Sequence, residues 1–170
     1  YDCVITSPPY PNRMSYIREL RPYMYWLGYL KCAAEASDLD WHTIGGTWGA
    51  ATSRLEDWQP EDDPLNYPGL VTILQRINQT SLILAKYVHK YFVDIAVHLR
   101  NLFPVLSPGA KVFYIVGNSK FYNILVPVEE IYANLLQDTG FVVTGVEILR
   151  KRNSKKELFE YVVSAQKPKN

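Results

Sequence analysis

The sequence predicts an α/β domain: a doubly wound, mostly parallel sheet with a terminal antiparallel hairpin, plus a helical or irregular insertion. Short β-branched apolar runs alternate with helical periodicities in the order strand, helices, strand, helix, strand, strand. Strands separated by helices pair in parallel through crossovers, with helices expected on both faces of the sheet. The last two strand runs are joined by a short basic loop and therefore pair antiparallel. A chain of 170 residues, 48% hydrophobic, buries a sufficient core as one domain without metal or disulfide staples.

The first element is Asp2-Cys3-Val4-Ile5-Thr6, read as a buried strand that stops at Ser7-Pro8-Pro9-Tyr10, where two prolines remove ladder donors. From Ser15 to Leu30, apolar residues at Tyr16, Ile17, Leu20, Tyr23, Met24 and Leu27 approach the helical period, with Pro22 as a kink. Residues 37–68 mix Gly45-Gly46, Gly49, Trp48, Trp58 and the acidic run Glu61-Asp62-Asp63 with no sustained period, the signature of a long insertion. A strong helix is entered near Pro68 and interrupted near Asn78-Gln79-Thr80, with Leu84, Val88, Tyr91, Ile95, Leu99 and Leu102 as its buried stripe. Lys111 to Val116 is a second buried strand ending at Gly117-Asn118-Ser119. Pro127 stands at a first helical position, and that helix runs to the stop Thr139-Gly140. Phe141 to Arg150 and Leu158 to Gln166 are the final strands, joined by Lys151-Arg152-Asn153-Ser154-Lys155-Lys156.

Composition excludes several classes. Cys3 and Cys32 form no CxxC pair and no Cys/His cluster, so a zinc module is disfavoured and a reducing, cytoplasmic setting is expected. His89 and His98 fall on nearly opposite sides of a helix and His42 has no partner, so no metal is expected. The most apolar window, Ser81 to Phe103, carries Lys86, Lys90, Asp94 and Arg100, so no membrane span is predicted. The chain opens on Tyr1 rather than Met, which implies that the natural N-terminus lies elsewhere. With a formal net charge of +1, any polyanion contact must come from local patches. In an open sheet, ligands sit beyond the carboxyl ends of the parallel strands. Thr6 to Tyr10, Gly117 to Lys120 and the basic loop would all emerge at that rim.

Thr6-Ser7-Pro8-Pro9-Tyr10, directly after the first strand, resembles the catalytic loop of the amino-group DNA methyltransferases, a Rossmann-like class I fold. Val116-Gly117-Asn118-Ser119 at a strand end, the Val126-Pro127 helix start and Gly140-Phe141 are similar to later parts of that family, so the resemblance covers about two-thirds of the chain. It implies methyl transfer from S-adenosylmethionine to an exocyclic base amine of DNA, with Ser7 favouring cytosine N4 over adenine N6. It implies catalytic roles for Ser7, Pro8, Pro9 and Tyr10, and donor contacts from Thr6 and Ser7. An RNA base-amine methyltransferase and a non-catalytic nucleic-acid-binding subunit remain alternatives.

The chemistry of the loop fits. An exocyclic amine is a poor nucleophile because its lone pair is delocalised into the ring, so acceptors must hold its hydrogens out of conjugation. Ser7 Oγ and the Pro8 carbonyl can each take one hydrogen, and successive prolines keep that geometry stiff. Tyr10 offers a face on which an extruded base can stack, worth about 1–3 kcal/mol. Cytosine C5 chemistry would need a thiolate nucleophile, and neither cysteine lies in the loop.

The departure from the family is a missing glycine-rich turn and acidic partner for the donor: Gly45-Gly46-Thr47-Trp48-Gly49 neither follows a strand nor has GxGxxG spacing. Residues 1–170 therefore read as a single partial catalytic domain, with an insertion over about 12–67. The missing half is expected in the same chain or in a second subunit, covering the otherwise open first strand.

Tyr10, Arg13, Tyr16, Asn118, Ser119, Lys151 and Arg152 are the candidate nucleic-acid contacts. Turn chemistry explains Asn118 and Ser119 equally well, and a solvated loop is the plainer account of Arg150 to Lys156. Tyr16, Tyr23, Tyr25 and Trp26 read first as core residues.

Overall fold

The computed structural model of the chain describes residues 1–12, 15–46, 52–61, 65–152 and 157–169. Strand β1 (Cys3–Thr6) is followed by helices α1 (Tyr16–Trp26), α2 (Ala33–His42), α3 (Thr52–Asp57), α4 (Pro68–Asn78) and α5 (Leu82–Leu102). Then come β2 (Lys111–Gly117), the short strands β3 (Ser119–Phe121) and β4 (Ile124–Val126), helix α6 (Val128–Thr139), β5 (Val142–Lys151) and β6 (Phe159–Gln166).

Local chemistry sets the boundaries. Ser15 caps α1 by accepting from the Arg18 N–H at 3.1 Å, and Ser81 caps α5 by accepting from the Leu84 N–H at 3.2 Å. The break at Gln79-Thr80 separates α4 from α5, as the sequence predicts. Gly140 ends α6 in the left-handed region at φ 105°, where a side chain would be strained. Pro127 serves as the N-cap of α6 rather than its first residue.

The main sheet has the order β1-β2-β6-β5. β1 and β2 pair in parallel, with Thr6 opposite Tyr114. β6 is antiparallel to both β2 and β5, so three of the four strands run the same way and the terminal hairpin closes the sheet. β3 and β4 form a separate hairpin that the sequence does not announce; its turn uses Tyr122 at φ 51°.

The sequence predicts helices on both faces, but α5 and α6 share one. Strands are added from β1 in a single direction, and crossovers of one hand then deliver their helices to the same side. On that side the predicted stripe Leu84, Val88, Tyr91, Ile95 and Leu99 is fully buried, with Val112, Tyr114 and Val116 of β2 and Ile131, Tyr132 and Leu135 of α6. On the other side Ile5 is 71% exposed, while Phe113, Ile115 and Val162 are half-buried. β1 is therefore not the buried strand expected: it is paired along one edge and covered on one face only. Tyr16, Tyr23, Tyr25 and Trp26 are likewise not core residues. α1 packs against α2 and buries none of its side chains, leaving Trp26 84% exposed.

Candidate functional site

The parallel pairing of β1 with β2 brings the end of β1 beside the end of β2, and the β5–β6 connection rises at the same rim. Three segments distant in sequence meet there. The Tyr10 ring lies on the backbone of Gly117, and the Arg152 guanidinium sits 5.7 Å from the centre of that ring. Arg152 Nη1 also donates to the Asn118 carbonyl at 3.2 Å.

Ser7 is exposed at the tip of the loop, its Oγ 3.4 Å from the Tyr10 hydroxyl. Pro8, Pro9 and Tyr10 are half-buried, as is Thr6 beneath them. The loop is anchored from below: the Tyr91 hydroxyl donates to the Pro9 carbonyl at 2.8 Å and lies 2.9 Å from the Tyr132 hydroxyl. Burial pushes both phenols well above their usual pKa, so both stay protonated.

Beside the loop opens a cleft of about 370 Å³, lined by Pro11, Asn12, Ser119, Lys120, Tyr122 and Arg152. Ser119 Oγ is buried on its wall and has no hydrogen-bond partner among the described residues. Asn118 is buried too, but its amide is engaged: Nδ2 donates to the Glu157 carbonyl at 3.1 Å and Oδ1 accepts from the Phe159 N–H at 2.9 Å. Much of the basic character nearby is paired. Lys120 lies 2.5 Å from Glu157 and holds that carboxyl below its ordinary pKa, and Arg150 does the same to Glu160 at 2.5 Å. Lys151 is exposed, and Tyr16 is exposed at the start of α1. Arg13, and Asn153 to Lys156 of the basic loop, lie outside the described residues.

Ser7, Tyr10, Ser119 and Arg152 are thus brought around one opening, while Asn118 serves the chain's own backbone. Sequence reading passed over Pro11, Asn12, Lys120 and Tyr122, which carry no motif, and took Tyr91 as core alone because its periodicity is that of a buried stripe. Among the described residues no glycine-rich turn follows a strand, and the outer edge of β1 is unpaired. Among them, too, no three His, Cys, Asp or Glu side chains are grouped to hold a metal, and no helix is long and apolar enough to cross a membrane.

No protein-family model matches the chain. It is 26% identical over 172 aligned positions to the Type II methyltransferase M.AvaI of Nostoc sp. (strain PCC 7120), covering 93% of this chain and 35% of that protein. It is 24% identical over 193 positions to the Type II methyltransferase M.BsoBI of Geobacillus stearothermophilus, covering 95% of this chain and 36% of that protein. Among solved structures, a DNA modification methylase from Thermus thermophilus aligns with a TM-score of 0.44 at 17% identity, over 71% of this chain and 52% of that one. Its complex with S-adenosyl-L-methionine aligns with a TM-score of 0.43 over 49% of this chain and 39% of that one. The chain is a homologue of the Type II DNA methyltransferases of the amino-methyltransferase family, and it spans about a third of the length of the curated relatives it matches.

Proposed function

We propose that this chain carries the base-binding part of a DNA methyltransferase that transfers a methyl group from S-adenosylmethionine to an exocyclic base amine, cytosine N4 in preference to adenine N6. The observation that carries this reading is the exposed Ser7 Oγ, 3.4 Å from the Tyr10 hydroxyl, on a loop that opens onto the cleft beside it. The names of the Type II relatives support the reaction class, and the serine in place of an acidic or amide residue supports cytosine.

Ser7 Oγ and the Pro8 carbonyl would each accept one amine hydrogen, directing the nitrogen lone pair toward the methyl donor. The Tyr10 ring would stack on the base, with the Arg152 guanidinium either flanking it or released to a phosphate. Ser119 Oγ, buried without a partner among the described residues, would meet a polar edge of the base. Lys151 and Tyr16 are exposed and available to the nucleic-acid backbone, and Arg13 is proposed to join them.

S-adenosylmethionine, when bound, supplies a methyl carbon activated by its sulfonium. Thr6 and Ser7 are the residues of this chain proposed to touch it. They do not make a pocket alone, since β1 is open along its outer edge and no glycine-rich turn follows a strand among the described residues. The remaining wall is proposed to come from the rest of the protein or from a second subunit. That reading is supported by the exposed Ile5 and by the 35% of M.AvaI that the match covers.

The test is methyl transfer from labelled donor to duplex DNA by the full-length protein, with Ser7→Ala and Tyr10→Ala alongside. N4-methylcytosine from the wild type and its loss in both variants is expected. Full activity in both variants overturns the proposal, N6-methyladenine overturns the choice of base, and methylation of RNA alone overturns the choice of nucleic acid.

A further inference from the structure

Three prolines, Pro8, Pro9 and Pro11, surround Tyr10. Each fixes its own φ, and each pushes the residue before it toward extended backbone. The ψ of Ser7, φ and ψ of Pro8, φ of Pro9 and ψ of Tyr10 are therefore all restricted. The two freest torsions between Ser7 Oγ and the Tyr10 ring are ψ of Pro9 and φ of Tyr10. They flank one peptide plane, whose carbonyl is that of Pro9.

That carbonyl is the group held by Tyr91, at 2.8 Å. A carbonyl only accepts, so the Tyr91 proton is committed to Pro9, and the Tyr132 hydroxyl, 2.9 Å away, must donate to the Tyr91 oxygen. Both rings are buried, so water does not compete for either bond. The Tyr91 ring is itself fixed by the insertion. Gly45 approaches so closely that a Cβ there would lie 3.5 Å from the Tyr91 ring and 3.6 Å from Pro9 Cβ, and its carbonyl accepts from the Tyr87 hydroxyl at 3.2 Å.

We infer that Tyr91 is a positioning residue for base-amine methylation: through the Pro9 carbonyl it sets the angle between the Ser7 and Pro8 acceptors and the stacking face of Tyr10. This inference rests on the functional reading above, and Tyr132 acts behind it by orienting the Tyr91 proton. The role belongs to α5 and the insertion, outside the segments that carry the family motif.

The experiment compares Tyr91→Phe with Tyr132→Phe in the full-length protein. Both variants delete one hydroxyl of the same buried pair, so a merely structural role lowers the unfolding temperature and kcat alike in the two. Only Tyr91→Phe releases the Pro9 carbonyl. The expected result is similar unfolding temperatures, a kcat for methyl transfer lowered about tenfold or more in Tyr91→Phe but less than about threefold in Tyr132→Phe, and little change in KM for DNA. Equal losses of kcat, or full kcat in Tyr91→Phe, overturn the inference. Hydrogen exchange at the Tyr10 amide gives a readout independent of catalysis: faster in Tyr91→Phe than in Tyr132→Phe is expected, and equal rates overturn it. A wild type that transfers no methyl would sink the functional reading, while the exchange comparison still decides whether Tyr91 holds the loop.

Discussion

The ring of Tyr10 rests on the backbone of Gly117 so closely that a Cβ at position 117 would lie 3.1 Å from two ring carbons and 3.1 Å from Arg152 Nη1. The absent side chain is what lets the loop after β1, the end of β2 and the residue after β5 converge. Gly117→Ala must displace the ring or the guanidinium by a few tenths of an ångström. Its stability cost should be small, about 1 kcal/mol, because the neighbours lie at a half-open rim. Its cost to methyl transfer by the full-length protein should be larger, about tenfold in kcat, since the base stacks on the displaced ring. Thermal unfolding with steady-state kinetics separates the two, and an unchanged kcat would show that the resting position of Tyr10 is not the working one.

Asn118 is expected to act through stability. Its amide joins the Glu157 carbonyl to the Phe159 N–H, and its own carbonyl receives Arg152, so one buried residue holds both ends of the β5–β6 connection. Asn118→Ala leaves those two backbone groups without their side-chain partner and should cost about 2 kcal/mol. Because the same change loosens the approach of Arg152 to Tyr10, DNA binding should weaken as well. A variant as stable as the wild type would mean that solvent replaces the amide at no cost.

The sequence revealed most where the determining interactions are local. The stripe from Leu84 to Leu99 is legible because helical period alone decides which side of α5 is buried. Ser7 to Tyr10 is legible because the chemistry of the loop sits in consecutive residues. The partner of Pro9 is not, because Tyr91 is 82 residues away and its hydroxyl is invisible to a count of apolar positions. Nor is the exposure of Trp26, since an aromatic at helical spacing reads the same whether or not anything covers it. The β3–β4 hairpin escapes because strands of three residues show no alternation and its turn has no glycine.

Ile5 offers a test of what covers β1. It is 71% exposed on a strand paired along one edge only, a poor arrangement for an apolar side chain facing water. If the rest of the protein packs there, Ile5→Ser in the full-length protein should cost about 1.5–3 kcal/mol, the value of burying such a side chain. Val105→Ser, at a residue 53% exposed, serves as the comparison and should stay within about 0.5 kcal/mol of the wild type. Equal, small losses at both positions would mean that the β1 edge remains open in the complete protein.

Glu129 provides a prediction with a definite sign. It is buried in the first turn of α6, its Oε2 has no hydrogen-bond partner among the described residues, and burial raises its pKa above the ordinary 4.5. The charge of Glu130 pushes the same way, while its own backbone N–H and the Tyr161 hydroxyl pull it back in part. The folded state thus holds a proton that the unfolded chain has already released, so stability falls as pH rises from about 4.5 through the raised folded value, then levels off. Glu129→Gln does not ionise, and the difference in unfolding free energy between variant and wild type should shift in favour of the variant across that window. The difference matters rather than either curve alone, because burial also raises Asp40 and Asp94, which give both proteins a slope of the same sign. Unfolding midpoints in denaturant, measured from about pH 4 to 8, provide the check. Curves that stay parallel over the whole range would mean that Glu129 finds, in solution, a partner that keeps its charge as content inside the fold as outside it.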